Sequence, residues 1–297
     1  MASDQENQPQ ESGPGGTTES VGTTGHEWDG IREFNNPLPR WWIWTFYVCV
    51  IWSIGYWILM PSWPLVSDYT KGVLGYSQRA TLAQDIADAR MAQSAYTGKI
   101  EKLSLAEIRK DPELLEFAVA GGRSAFAVNC SQCHGAGANG SPAYPNLNDD
   151  DWLWGGKISA IHQTIKVGVR SDHEDARVGD MPGFLRDEIL TGDQVKDVTE
   201  FVLSISGQDA DSAATARGAP VFAEQCAVCH GPAGKGLREF GAPNLTDEIW
   251  LFGREKSVIA QTISTGRAGV MPAWADRLDA VTIKQLALYV YVLGGGE

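Results

Sequence analysis

The sequence predicts a mainly α-helical chain, with one N-terminal transmembrane helix followed by two tandem copies of one small domain. Three observations carry that prediction: an uncharged apolar run, an internal duplication, and two cysteine pairs each followed directly by histidine. The chain has 297 residues, 43% of them hydrophobic, which is enough apolar side chain to bury a core over most of its length. Its 24 basic and 37 acidic residues leave a net charge of −13. Nucleic acid is excluded as a partner, because phosphate neutralisation needs clustered Lys and Arg. A cationic partner suits this surface better. Five cysteines do not make a disulfide scaffold, and four of them fall into two CxxC pairs, which points to a cofactor or metal.

Residues 1–25 are Gln, Glu, Ser, Gly and Thr with almost no large apolar side chain. Such a stretch cannot offset its ordering entropy by burial and is read as disordered. Residues 26–40 differ, with Trp28, Ile31 and Phe34 beside Gly30, Pro37 and Pro39. They read either as packing on a partner at a membrane surface or as an ordinary linker.

Residues 41–60 carry no charge. As a helix they span about 30 Å, the thickness of a bilayer's hydrocarbon core. Trp41, Trp42 and Trp44 mark one end and Trp57 and Trp63 the other, in the manner of an interfacial aromatic belt, and Pro61 and Pro64 stop the helix. Forty polar residues precede the run and no small-residue cleavage site follows it, so residues 41–63 are expected to be a permanent anchor in membrane lipid rather than a removed signal. Arg40 abuts the apolar run and favours a cytoplasmic N-terminus. Residues 64–110 form a helical connector, in which Leu82, Ile86 and Ala89 recur at helical spacing. Asp111 before Pro112 reads as an N-cap with proline at the first helical position.

Residues 122–206 and 218–294 are two copies of one unit, which sets candidate domains at 111–206 and 207–297. Gly122, Phe126 and Cys130 match Gly218, Phe222 and Cys226, a spacing of four that stacks each set on one helix face. Further landmarks follow in the same order: PNL at Pro145 and Pro243, Trp152 with Trp250, QTI at Gln163 and Gln261, Met181 with Met271, and Phe201 with Tyr289. The segment Arg170–Asp180, with four acids and two bases, is an insertion in the first copy only and is a candidate docking loop.

Cys130-Ser-Gln-Cys133-His134 and Cys226-Ala-Val-Cys229-His230 are c-type haem attachment motifs. Two thiols three residues apart on a helical turn each reach a porphyrin vinyl group, and the next residue's imidazole falls beneath the iron. A zinc knuckle would need further ligands, and no spare cysteines supply them. A thioether opposite the histidine raises the reduction potential and makes an electron-transfer haem. Of five methionines, Met181 and Met271 alone lie within the two copies after the haem motifs, each before a proline. His162 is a competitor, but its counterpart is Ala260; His173 sits in the charged insertion. The Pro145 and Pro243 carbonyls are plausible acceptors for the second ring nitrogen of each haem histidine. Trp152, Trp154 and Trp250 either wall the haem and reach a propionate or simply pack.

An acidic N-terminus, the stretch DGIREFNNPLPRWW, one anchor, SWP and two haem units together resemble the dihaem subunit III (CcoP/FixP) of cbb(3)-type cytochrome c oxidases, over residues 26–297. The stretch before the anchor makes the resemblance specific. It implies two class I cytochrome c domains carrying two covalently bound haem c groups, with His134 and Met181 on one iron and His230 and Met271 on the other. The residues themselves leave open which haem each methionine serves. The resemblance also implies a complex with a catalytic haem–copper subunit and a monohaem cytochrome c subunit. The donor would be cytochrome c or a quinol:cytochrome c reductase. The chain itself is then a non-catalytic conduit, in a bacterial inner membrane with its haem units periplasmic. A dihaem peroxidase, a cytochrome subunit of a periplasmic dehydrogenase and an anchored haem sensor are the alternatives. Paired methionine ligands argue against the first, and residues 1–40 are too short for a sensor's signalling domain.

Overall fold

A computed structural model describes residues 22–297. The expected disorder of residues 1–25 therefore lies, for residues 1–21, outside the described residues. Residues 23–25, expected to be disordered, and residues 26–34, for which a linker is one reading, instead form a hairpin: strands β1 (Thr23–Trp28) and β2 (Ile31–Phe34) pair antiparallel. Asp29 and Gly30 make the two-residue turn, with φ of 50° and 84°, the left-handed pair a tight hairpin requires. That Asp-Gly dipeptide was the hairpin signal.

Helix α1 (Arg40–Leu59) covers the expected anchor and ends four residues before its expected limit at 63. It buries none of its residues within the chain and is the one helix among the described residues long and apolar enough to cross a membrane. Its last carbonyls are capped by the returning chain: Val73 N–H donates to Ile58 O (2.9 Å) and Leu74 N–H to Leu59 O (3.1 Å). Gly72, at φ 69°, permits that return, since a Cβ there would lie 2.4 Å from the Leu59 oxygen.

The connector is helical from Gln78 on, as α2 (Gln78–Lys102) and the short α3 (Leu105–Ile108). Then come α4 (Pro112–Asn129), capped by Asp111 as expected, and the single turn α5 (Ser131–His134). Next are α6 (Ile158–Val167), α7 (Gly192–Ile205) and α8 (Ser212–Val221). The chain closes with the turn α9 (Ala227–His230), α10 (Lys256–Thr265) and α11 (Ala280–Val292). Pro220 lies inside α8, and the helix passes into a π turn over Phe222–Cys226. The Ala227 N–H donates to Phe222 O across the wider turn.

The order of elements repeats as expected, but the packing is exchanged. The first copy's leading helix, α4, lies against α11, the last helix of the chain; the second copy's leading helix, α8, lies against α7, the last helix of the first copy. At each crossing a glycine brings the backbones together. A Cβ at Gly122 would lie 2.2 Å from the Gln285 carbonyl oxygen, and one at Gly218 2.1 Å from that of Asp197. The ring pairs follow suit, Phe126 with Tyr289 (5.3 Å) and Phe222 with Phe201 (4.9 Å). One lobe is thus built from α4, α5, α6 and α11. The other, from α7 to α10, is inserted into it. The chain crosses between lobes twice, through residues 170–180 and 267–270.

Candidate haem sites

The first cysteine of each motif ends its helix in the same backbone conformation, Cys130 at φ −112°, ψ −30° and Cys226 at φ −108°, ψ −33°. The following turn then presents the second thiol and the histidine. The Nδ1 of His134 lies 3.0 Å from the Pro145 carbonyl oxygen, and that of His230 lies 3.0 Å from the Pro243 oxygen. These carbonyls fix each ring's orientation and leave Nε2 free. Burial lowers the pKa of both imidazoles, against the opposing pull of the proline carbonyls, and so favours the neutral form that binds iron. Burial also pushes the Cys130 and Cys226 thiols up to about 11, and none of the four motif cysteines forms a disulfide. Free thiols and a tautomer-locked neutral imidazole, twice over, fit a covalently attached haem.

The two methionines sit in matching places. Met271 and Val169 exchange backbone hydrogen bonds of 2.9 and 3.0 Å just past α6, and Met181 bridges Arg267 just past α10. Three residues beyond each methionine the backbone is tied to the other copy's helix, Trp274 N–H to Ile165 O of α6 (3.2 Å) and Phe184 N–H to Ile263 O of α10 (2.9 Å). Met271 packs on the apolar core that holds Phe126 and Cys130, whereas Met181 packs on the core that holds Phe222 and Cys226. The pairing expected from order along the chain, His134 with Met181 and His230 with Met271, is therefore not the one brought together here. The physical reason is the link Ser206–Asp211. So short a connection makes α7 and α8 antiparallel neighbours, which carries the Met181 loop onto the second motif. That length was the signal sequence reading passed over.

The other candidate side chains make contacts of their own. Trp152 Nε1–H donates to the Gly295 carbonyl and Trp250 Nε1–H to Asp247 O (3.0 Å). Trp154 lies against Gly241 of the inserted lobe and under the Arg177 guanidinium, 5.4 Å from its ring. Its counterpart Phe252 lies under Arg267 at 4.7 Å. His162 lies beside the Lys284 and Lys166 ammonium groups, which with burial lower its pKa. His173 Nδ1 accepts a hydrogen bond from Asp175 N–H (3.0 Å), within the insertion's own turn.

Comparison with known proteins matches three parts of the chain. Residues 20–67 match the N-terminal domain of cytochrome oxidase-cbb3, FixP; residues 119–206 match cytochrome c; residues 213–290 match cytochrome c oxidase, cbb3-type, subunit III. The chain is 52% identical to the cbb3-type cytochrome c oxidase subunit FixP of Azorhizobium caulinodans over 276 residues, covering 93% of this chain and 94% of that one. It is 50% identical to subunit CcoP of Cereibacter sphaeroides, covering 93% and 95% of the two chains. It is 52% identical to CcoP of Azospirillum brasilense, covering 93% and 96%. Two cytochrome c domains with two haem c groups follow an apolar N-terminal helix that anchors the chain to a membrane. The chain belongs to the FixP/CcoP family of cbb3-type cytochrome c oxidase subunits.

Proposed function

We propose that this chain relays electrons, within a cbb3-type cytochrome c oxidase, from a respiratory donor toward the O₂-reducing haem–copper subunit and beside a monohaem cytochrome c subunit. Each haem c supplies reversible one-electron chemistry. The chain contributes ligand choice, burial and spacing. Cys130 and Cys133 would hold one haem, with His134 and Met271 as its iron ligands; Cys226 and Cys229 would hold the other, with His230 and Met181. The observation that carries this assignment is the seating of each methionine in the core of the other motif's cysteines. A histidine and a thioether held by the chain for each iron would suit electron transfer rather than binding of O₂ or peroxide. Haem attachment takes place on the outer side of the inner membrane in c-type cytochromes, which makes residues 111–297 periplasmic and residues 1–40 cytoplasmic.

A chain with Cys130→Ser and Cys133→Ser carries only the second haem. In that background Met181→Ala should abolish the weak red absorption band of ferric iron bound to thioether sulfur, and lower the potential, while Met271→Ala should leave both unchanged. Loss of the band in the Met271→Ala chain instead would restore the pairing by chain order.

A further inference from the structure

The two crossings between lobes meet at one side chain. Arg170 opens the insertion that carries the chain outward, and its backbone stands at φ 51°. Such a left-handed conformation is costly for a long L side chain and marks a position the surroundings over-determine. Its Nε donates to the Gly269 carbonyl oxygen at 2.6 Å, and its Nη1 donates to the Gly179 oxygen, also at 2.6 Å. Gly179 is two residues before Met181, and Gly269 is two residues before Met271. One guanidinium therefore holds the same backbone position in both methionine loops. The Asp180 carboxylate lies 3.8 Å from Nε, and the Arg170 side chain is only 22% exposed. Past α6 and past α10 the chain repeats in register, Gly168 with Gly266 and Val169 with Arg267, and the position matching Arg170 is Ala268. Arg170 thus belongs to the joint and not to the repeated unit.

We propose that Arg170 is a positioning residue for both axial methionines, setting the two sulfur ligands together from the point where their loops cross. This rests on the ligand assignment above. A thioether is neutral and binds iron only where its loop holds the sulfur in reach, so the hydrogen bonds that fix the loop govern the bond. The rigid fork of a guanidinium spans two carbonyls at fixed spacing, which a lysine ammonium on a flexible stem does not reproduce.

The test uses the full-length chain carrying both haems, with Arg170→Gln and Arg170→Lys. Covalent haem should stay at two per chain. The sulfur–iron band should fall by more than half, which is more than one haem's share, and both midpoint potentials should drop. The lysine variant should recover at most one haem's share. Arg177→Gln is the control. Arg177 pins the same insertion to α6 through Thr164 Oγ1 (2.7 Å) and Ala160 O (3.2 Å) and donates to neither methionine loop. It should leave the band intact. An Arg170→Gln chain with an unchanged band, a change confined to one haem, or an equal double loss in Arg177→Gln would each overturn the proposal. Where the glutamine variant does not accumulate, the lysine variant decides, since full retention of both shares contradicts the fork argument. If Met181→Ala and Met271→Ala each remove half the band while Arg170→Gln removes none, this inference alone has failed. If neither methionine variant alters it, the ligand assignment has failed first.

Discussion

At the scale of single residues, the haem motifs show how much local chemistry two cysteines and a histidine carry, and Asp151 shows what they do not. Asp151 follows two further aspartates and lies half-buried, and its pKa is pushed up to about 6 by burial, then by the Asp247, Asp149 and Asp150 carboxylates. In the unfolded chain an aspartate titrates near about 3.9. A raised carboxyl favours folding while it is protonated, so this contribution is whole below the unfolded value and is lost as pH rises through about 6. Asp151→Asn should therefore stabilise the protein above neutrality by about 1 kcal/mol, after allowance for solvent screening of a half-exposed group. Near about pH 3, below both values, it should do nothing. Thermal unfolding midpoints of the two chains at both pH values check the sign; equal midpoints at neutral pH contradict it. Nothing in the sequence announces this residue, because Asp247 is brought near it only by folding.

Among the elements, α11 does most to hold the structure together. It packs on α4 and α6, and its Leu288 joins Ile100 of α2, Ile108 of α3 and Leu114 and Ala118 of α4 in a third apolar cluster. Its Lys284 Nζ donates to three carbonyls at the end of α2: Ile100 O (2.9 Å), Glu101 O (2.9 Å) and Leu103 O (2.8 Å). A helix leaves its last carbonyls without partners, and one ammonium answers three of them here. Lys284→Met keeps the stem and removes the donor. It should cost about 2 kcal/mol, the scale for hydrogen bonds to a charged group. Amide exchange in the last turn of α2 should quicken while the haem spectra stay the same. Unchanged exchange there would show that water serves those carbonyls equally well. The N-cap of α4, the glycines at the helix crossings and the turn of the hairpin were all readable from local rules. Lysine 284 as a distant cap was not, since 181 residues separate it from Leu103.

For the whole molecule, the exchange of packing decides which fragments are complete. Residues 111–206 hold the first motif without Met271 or α11. Residues 179–267 hold Met181, α7, α8, the second motif and α10, a full haem lobe in permuted order. Exported to a periplasm, the fragment 179–267 should fold as a monohaem protein with the sulfur–iron band. The fragment 111–206 should bind haem without that band and unfold readily. The reverse outcome would mean that each repeat closes on itself in solution. Charge acts at this scale too. Residues 61–297 carry −8, and Asp172, Glu174 and Asp175 of the insertion are exposed. Opposite charge speeds encounter by about 10- to 1000-fold, and salt screens it. Reduction by a cationic cytochrome c should slow as ionic strength rises, and neutralising those three residues should flatten the dependence. A rate indifferent to salt points to a donor already held in place.

The sequence by itself determined the apolar anchor helix, the duplication, the two CxxCH motifs and the family resemblance, because each is written in short-range spacing: a membrane-length apolar run, thiols one turn apart, histidine next in line. Which methionine faces which haem motif was decided by how the two copies pack. A repeat specifies what a helix needs for a partner, but the two copies offer equivalent partners. Gly122 can meet either final helix, as can Gly218. The short α7–α8 link breaks the tie by making those two neighbours, which leaves α4 to take α11 and sends both methionine loops across a joint that Arg170 closes.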